Sequence, residues 1–369
     1  MFEDTDLDRA VDAGALSAEA AAGLRAFLAA RAATPAAAVD EEQFRLITGF
    51  NDIFVTIAIV LVFVAAGALG GHVLGAALVA GAAWAMAEFF TRRRRMALPS
   101  IALLLGFVGG LAAMAYALMR AMLTAHQAEH HYVDLQNQAQ HWTSIEYYPW
   151  QHALMFAGAG LAGTLGAVLH WRRFKVAITI AAGVSAGVLL LLSLLAAALG
   201  TTPSAEGFLA PAALACGLGT FALAMRWDLS DPRRQTVRAD VAFWLHLAAA
   251  PLIVHPLFLW IGALGEGSQH LATALGVLAI YLVFALVALA VDRRALLVSA
   301  LAYVLGAMGT VMRHAGAVEL GFAFTALTIG LALLTLSAWW APIRAMVLRR
   351  LPAHWVARLP GTGPTPASA

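Results

Sequence analysis

The sequence is short of charged residues. Only 12% of its 369 residues are Asp, Glu, Lys or Arg, about half the share in a typical soluble domain, and 62% are hydrophobic. This composition excludes an ordinary soluble chain, because apolar runs of about 20 residues recur and each can cross a hydrocarbon layer about 30 Å thick. Strands of a membrane barrel alternate apolar and polar residues, whereas these runs are apolar on all sides. The sequence therefore predicts an all-α fold, a polytopic bundle of membrane helices.

Cysteine, lysine and the motifs of common enzymes are also scarce. Cys216 is the only cysteine, which excludes a disulfide within the chain, and its apolar surroundings in the sequence favour a core residue. Lys175 is the only lysine, and the excess of arginine, alanine and glycine favours a GC-rich bacterial genome. The chain has no phosphate-binding loop, dinucleotide fingerprint, GxSxG elbow or CxxC pair. Catalysis by a mechanism familiar from soluble enzymes is therefore not expected, and no catalytic residue is assigned.

Apolar segments of spanning length are what the sequence has in abundance. They predict about ten membrane helices, over residues 52–70, 73–90, 98–120, 152–170, 174–199, 208–226, 240–263, 271–291, 295–313 and 319–341. The predicted division is a helical hairpin and linker over 1–50, a transmembrane domain over 51–343 and a C-terminal tail over 344–369. An even number of spans places both termini on the same side of the membrane.

The distribution of basic residues predicts which side that is. All but two of the 23 Lys and Arg residues lie in the termini and in alternate loops, and the exceptions are Arg120 and Arg313. By the positive-inside rule the basic loops and both termini are cytoplasmic in a bacterial inner membrane, which leaves the 121–151 loop outside. The expected partners are the lipid bilayer and other membrane proteins. No nucleic acid is expected, because the inner loops are too short to form a basic binding face.

Residues 7–33 are predicted to form a small cytoplasmic helical hairpin. Gly14 suits the end of its first helix, Ser17 suits the N-cap of the second, and Glu19 suits the first turn that follows. Such a hairpin either caps the membrane face or serves as a docking or sensing module. With Leu16, these residues form a pattern that resembles bacterial predicted multi-pass membrane proteins of unknown function, in which a short cytoplasmic helical segment precedes many spans. The resemblance implies that architecture and carries no catalytic residues.

The stretch TAHQAEHHYVDLQNQAQHW, residues 124–142, holds four histidines. Its apolar residues recur at spacings of 3 and 4, with His126, His130 and Asp134 on the opposite face, which predicts an amphipathic outer helix at about 121–142. On such a helix His126 and His130 can share a divalent metal, with Asp134 as a third ligand or as a hydrogen-bond partner. The other interpretation is a solvated helix face, which the interspersed glutamines and the lack of HExxH spacing favour.

The stretch HLAAAPLIVHPLFLW, residues 246–260, carries ionisable groups and prolines within a predicted span. Pro251 and Pro256 each remove a backbone donor, which predicts a kink or a break near mid-membrane. Ionisable residues in spans and interrupted helices are candidate transport sites, so His246 and His255 with the two prolines form a candidate intramembrane site. The alternative is a kinked packing helix whose histidines bond to neighbouring carbonyls or hydroxyls.

Two glycine-rich runs, GFVGG at 106–110 and GAGLAGTLG at 158–166, predict close packing between helices. Close packing of this kind does not indicate a function. The leading expectation is a non-enzymatic inner-membrane protein, either an envelope assembly or regulatory partner or a small-molecule transporter. The alternative is an outer-face metal- or haem-binding membrane protein that uses the His-rich stretch. A lipid-modifying membrane enzyme is a third hypothesis, which no paired acids or nucleophile support.

Overall fold

The computed structural model divides the chain into two compact units, Met1–Phe44 and Arg45–Ala369. The residues that the structure describes are 11–33, 50–133, 139–200, 203–263 without 233 and 235, 271–297, 327, 330–331, and 334–360 without 357. The two units are described separately below.

The described part of the first unit, residues 11–33, covers most of the predicted helical hairpin. Residues 11 and 12 are helical, a turn follows, and α1 runs from Ala18 to Ala33. In the turn the Gly14 N–H donates to the Val11 carbonyl at 2.9 Å, and Gly14 has a φ of +70°. The Ser17 hydroxyl accepts a hydrogen bond of 3.1 Å from the backbone N–H three residues later. The predicted helix stop at Gly14 and the predicted cap at Ser17 are therefore confirmed.

The described part of the second unit is a bundle of apolar helices with one β-hairpin. Its elements are α2 (Phe50–Gly70), α3 (Ala76–Ala87), α4 (Ala97–Met122), β1 (His126–Val133), β2 (Ala139–Glu146), α5 (Pro149–Phe174), α6 (Ile178–Leu199), α7 (Pro203–Leu229), α8 (Val237–Trp260), α9 (Leu271–Val291), α10 (Trp340–Arg350) and α11 (Ala353–Val356). Within the described residues, six helical segments are long and apolar enough to cross a membrane, with Phe50–Arg93 taken as one segment. The predicted helical bundle is confirmed, and the structure does not support the predicted count of about ten spans.

The predicted spans from 52–70 to 271–291 each overlie a helix of the second unit. Most of the predicted spans 295–313 and 319–341 lies outside the described residues. The predicted boundary of the C-terminal tail after residue 343 falls inside α10. This difference has a packing cause, because the buried Trp340 anchors α10 against the apolar cluster of α9.

The chain reverses direction between α2 and α3 in a wide helical turn, Gly71–Gly75. Gly71 has a φ of +62°, which favours glycine. A Cβ on Gly75 would lie 2.6 Å from the Gly67 carbonyl oxygen, so the turn can close only around a residue without a side chain. The reversal brings Ile59 of α2 into one apolar core with α3 and α4. The first two predicted spans are therefore two legs of a helical hairpin.

Side-chain contacts join the turns at one end of the bundle, which we call the basic end. Arg173, at the end of α5, donates to both carboxylate oxygens of Glu88 at 2.7 and 3.0 Å. Arg92 lies 3.2 Å from the same carboxylate, as the spacing of four residues suggests. Trp171 and Trp227 pack in one apolar cluster, which connects the turn after α5 to the turn after α7. The opposite end, which carries β1 and β2, we call the hairpin end.

Several turns at the basic end contain a left-handed residue that is not glycine. These residues are Arg95 (φ +53°), Lys175 (φ +56°), Arg234 (φ +51°) and Asp292 (φ +64°). The left-handed conformation costs an L-residue roughly 1–2 kcal/mol, and at the end of a helix it stops the helical hydrogen-bond pattern. Arg95, Lys175 and Asp292 follow helical segments, which therefore stop at strained positions occupied by charged residues, whereas Arg234 lies in the turn between α7 and α8.

The glycine-rich runs lie at close helix contacts, which confirms the predicted packing. A Cβ on Gly110 of α4 would lie 2.9 Å from the Ala76 carbonyl oxygen of α3. A Cβ on Gly160 of α5 would lie 2.6 Å from the Leu190 backbone nitrogen of α6. At these points one helix backbone lies directly against the next, which small residues permit.

Candidate functional site

Helix α8 brings His246 into contact with charged side chains from two other parts of the bundle. Its Nε2 lies 3.1 Å from Oδ2 of Asp228, in the last turn of α7. Nε of Arg293, just after α9, donates to both Asp228 carboxylate oxygens at 3.1 and 3.0 Å, and Nη2 donates to Oδ1 as well. All three side chains are between 0% and 2% exposed. We call Asp228, His246 and Arg293 the buried triad.

The turn after α9 positions Arg293. The left-handed Asp292 redirects the chain, and the Arg293 N–H then bonds to the Ala288 carbonyl at 2.9 Å. Nη2 of Arg293 also donates to the Ala239 carbonyl, in the first turn of α8, at 3.3 Å. One guanidinium therefore ties the ends of α7, α8 and α9 together around a single carboxylate.

Asp292 organises a second polar group beside the triad. Its Oδ1 accepts from Nε1 of Trp340 at 2.9 Å and lies 3.4 Å from Nε of Arg344, both on α10. Its Oδ2 accepts from Nη1 of Arg234, in the turn between α7 and α8, at 3.3 Å. Consecutive residues of one turn therefore bind two separate sets of partners, which links four helices at the basic end.

Burial makes the triad costly to separate and sensitive to its total charge. A charge removed from water loses several kcal/mol of solvation, and only good pairing geometry offsets that loss. The Arg293–Asp228 contact has such geometry, because a planar guanidinium matches a carboxylate. Within the described residues, Nδ1 of His246 is buried without a hydrogen-bond partner. Ionisable groups inside spanning helices are functional candidates, so the triad is a candidate functional site of the bundle.

The structure separates the four residues of the predicted intramembrane site. His255 and Pro256 line a cavity of about 420 Å³ towards the hairpin end of α8. The remaining wall consists of Pro149, Ala153 and Phe156 of α5, Leu192, Ser193 and Ala196 of α6, and Leu209, Ala210, Ala213 and Leu259 of α7 and α8. His246 belongs to the triad, and Pro251 lies along α8 between the triad and the cavity.

Helix α8 continues from Val237 to Trp260 through both prolines, so the predicted break does not occur, and the predicted kink stays a prediction. Close packing supports the backbone between them. A Cβ on Gly217 of α7 would lie 2.9 Å from the Ile253 backbone nitrogen. Neighbouring protein thus covers the segment in which each proline removes one helical hydrogen bond.

The predicted outer amphipathic helix at about 121–142 is wrong. Helix α4 ends at Met122, and the chain then forms β1 and β2, which pair antiparallel with His130 opposite Trp142. The composition explains the difference, because histidine, tyrosine, valine, threonine and tryptophan are poor helix formers and the last four favour strands. Spacings of 3 and 4 were therefore a misleading signal in this stretch.

This register removes the geometric basis of the predicted metal site. In a strand, residues four apart are separated by about 13 Å, whereas on a helix they are about 6 Å apart. His126 stacks on the ring of Tyr148, with centroids 4.0 Å apart. Asp134 lies outside the described residues, and within the described part of the chain no three His, Cys, Asp or Glu residues are grouped to hold a metal ion. Metal binding by His126, His130 and Asp134 stays a prediction, but the helix on which it was based is replaced by strands.

The hairpin geometry predicts the result of a metal analysis. We expect the purified protein, dialysed against zinc, copper and iron and then washed, to retain the same metal content in the wild type and in His126→Ala/His130→Ala. The reason is that two histidines about 13 Å apart along a strand cannot share one ion. Plasma mass spectrometry measures the content, with His354→Ala as a control for weak surface binding. A near-stoichiometric metal that only the double variant loses would reinstate the predicted site.

Sequence reasoning missed two members of the triad. The predicted span 208–226 ends before Asp228, and Arg293 lies in one of the basic loops that predict only the topology. A usable signal was present at the end of the sixth predicted span, where Trp227 and Leu229 continue the apolar pattern beyond Arg226. That continuation extends α7 and carries Asp228 into its last turn.

No protein-family model, no curated protein and no solved structure matches this chain. Its class follows from the fold, because several helices of the second unit are long and apolar enough to span a membrane. These helices fit a multi-pass membrane protein.

Proposed function

We propose that this chain is a ten-span protein of a bacterial inner membrane that moves a small molecule across it without chemical change. The concentration of basic residues in alternate loops supports cytoplasmic termini and a cytoplasmic basic end. The rival role is that of an envelope assembly or regulatory partner that binds other membrane proteins. In both roles the bilayer is the immediate partner and no catalytic residue is required.

The position of α8 carries the transport proposal. Towards the hairpin end, His255 and Pro256 of this helix line a cavity of about 420 Å³, which is within the usual range for small ligands. His246, which belongs to the buried triad, precedes His255 by nine residues, so the two lie about 13 Å apart along the helix. One helix therefore connects a ligand-sized cavity with a buried group that can change its charge.

The triad gives α8 a packing arrangement that depends on protonation. With a neutral His246, the Asp228 carboxylate and the Arg293 guanidinium balance each other. A proton on His246 adds a second cation around the same carboxylate, and charges interact strongly where water is excluded. The change biases how α8 packs against α7 and α9. A shift of α8 is the motion that would open the cavity towards the basic end.

Access to the cavity from both membrane faces tests transport without knowledge of the substrate. In a Cys216→Ser background, Ser193→Cys places the only thiol of the chain in the cavity wall. We expect a charged, membrane-impermeant thiol reagent to label it in right-side-out and in inverted vesicles, because a transporter exposes its site to each side in turn. Mass spectrometry gives the labelled fraction.

Leu194→Cys in the same background is the matched control, because Leu194 is the adjacent residue, is 49% exposed and lies outside the cavity wall. Lipid should protect it from the charged reagent on both faces. Labelling of Ser193→Cys from the hairpin end alone would contradict transport and favour the assembly or regulatory role. Adding Pro251→Ala and Pro256→Ala should abolish labelling from the basic end if the prolines permit the motion, whereas unchanged labelling would limit the prolines to packing.

A further inference from the structure

A second and larger cavity opens at the hairpin end, between the Gly71–Gly75 turn and helices α4, α5 and α6. Its volume is about 750 Å³, within the range of sites that enclose drug-sized ligands. Phe156 lines both this cavity and the smaller one beside α8, and no other residue does. The larger cavity is therefore distinct from the smaller one, and it is open at the protein surface, where Phe156 and Leu189 are 46% and 39% exposed.

Small side chains on α4 create the space. Ala113, Ala117 and Ala121 recur every four residues along one ridge of the helix and line the cavity together with Ala112. Phe156 and Ala159 of α5 and Leu189 of α6 form the facing wall. Most of the wall is therefore hydrocarbon, which suits a ligand with an apolar body.

The polar groups of the cavity are few, and they are His72, Tyr116, Arg120 and Tyr147. The Tyr147 hydroxyl donates to the Arg120 carbonyl at 3.3 Å, and the Arg120 guanidinium carbon lies 6.0 Å from the centre of the Tyr147 ring. The Tyr116 ring packs on Phe156, with centroids 5.3 Å apart. One cation and two phenol rings thus stand beside an apolar space.

The chain around Tyr147 is held in place by hydrogen bonds to the end of α4. Gln151, a buried side chain in the first turn of α5, donates to the Thr124 carbonyl at 2.9 Å and accepts from the Tyr148 N–H at 2.8 Å. These bonds fix the start of α5 against the end of α4. The polar edge of the cavity is therefore formed in advance of binding, which reduces the entropy that a ligand must overcome.

Arg120 brings a charge that the neighbouring protein leaves unbalanced. Within the described residues no carboxylate binds its guanidinium, and the carboxylate of Glu146 accepts from the Ser144 hydroxyl at 2.7 Å. Guanidinium groups match carboxylates and phosphates through paired hydrogen bonds. We propose that this cavity binds an amphiphile with a carboxylate or phosphate head at Arg120 and a hydrocarbon body along the alanines of α4.

Two sources can supply such a ligand, an anionic membrane lipid or a free fatty acid. Both present the same chemistry, one anionic head on an apolar chain. The proposal is independent of transport through α8, because the alanine wall and Arg120 belong to the larger cavity alone.

Binding of radiolabelled dodecanoate to the full-length protein in phosphatidylcholine nanodiscs tests the proposal, with empty nanodiscs as the blank. We expect Arg120→Gln to weaken dodecanoate binding by roughly tenfold or more, the usual loss when a charged hydrogen bond is removed. Arg172→Gln, an exposed arginine at the far end of α5, should leave the affinity unchanged. Ala117→Phe keeps Arg120 and fills the space, and it should abolish binding while the protein stays folded by circular dichroism.

Two further probes sharpen the result. Dodecyl phosphate should bind like dodecanoate, and dodecanol should bind more weakly and without dependence on Arg120. Adding phosphatidylglycerol to the nanodisc distinguishes the sources, since competition with dodecanoate supports a lipid ligand and its absence supports a free fatty acid. Equal dodecanoate affinity in the wild type and in Arg120→Gln, or unimpaired binding in a folded Ala117→Phe, would overturn the proposal.

Discussion

Asp228→Ala should lower the free energy of unfolding by roughly 3–5 kcal/mol, the usual loss when one partner of a buried ion pair is removed. The substitution leaves the Arg293 guanidinium, 2% exposed, without its carboxylate, and leaves Nε2 of His246 without a partner. Neither group can reach water without separating α7, α8 and α9. Thermal unfolding of the purified protein, followed by tryptophan fluorescence, measures the loss.

Replacement of the whole triad separates the structural contribution from the proposed functional one. In Asp228→Leu/His246→Phe/Arg293→Met no buried charge remains, and we expect stability near that of the wild type, because removal of the desolvation penalty offsets the lost pairing. Arg92→Ala is the surface control and should cost less than about 1 kcal/mol. A single Asp228→Ala variant as stable as the wild type would show that the triad does not hold these helices together.

Gly160→Val should reduce the yield of folded protein severely, because the added side chain would collide with a neighbouring helix backbone. A Cβ at this position would lie 2.6 Å from the backbone nitrogen and 2.8 Å from the Cα of Leu190, and backbone atoms cannot move aside by changing a rotamer. Helices α5 and α6 must then separate along their contact, and overpacking of this kind typically costs about 1–3 kcal/mol. Size-exclusion chromatography of the detergent extract gives the fraction of folded, non-aggregated protein.

Gly109→Val is the matched control, since a Cβ on Gly109 would have no heavy atom within 4 Å. It introduces the same β-branched residue into the middle of a membrane helix, so it carries the same intrinsic cost without the collision. Equal losses of folded protein in the two variants would assign the effect to helix propensity and refute the close-contact explanation.

The positions of the helices followed from the sequence because hydrocarbon thickness constrains length. The predicted span 98–120 corresponds to Ala97–Met122, and the predicted span 271–291 has the bounds of α9. Glycine positions also translated directly into structure, because a missing side chain is what permits two helix backbones to touch. Both inferences use properties of the segment itself and need no knowledge of what lies beside it.

The β-hairpin formed by β1 and β2 could not be predicted in this way. Residues 125–142 have a helical spacing of apolar side chains, yet β1 and β2 pair with each other in the described part of this stretch. A helical spacing of apolar residues in a short polar stretch contributes little to the free energy of folding, whereas every hydrogen bond between paired strands satisfies two backbone groups. Pairing between segments cannot be read from the periodicity of one of them.

The candidate site was only half predictable for the same reason. His246 was identified as an ionisable residue within a span, but Asp228 is 18 residues from it and Arg293 is 65 residues from Asp228. Their meeting depends on how three helix ends converge. The cavities are less predictable still, since their volumes depend on the separation between helices as well as on the residues that line them.

The left-handed positions at the basic end have a consequence for membrane insertion. Two of them, Arg95 and Lys175, are basic and follow directly on helical segments, so a residue that stops a helix also contributes to the charge that retains a loop in the cytoplasm in the proposed orientation. Glycine at either position would relieve roughly 1 kcal/mol of backbone strain and delete a topogenic charge in the same step. Selection for a more stable fold and selection for correct insertion therefore oppose each other at these positions.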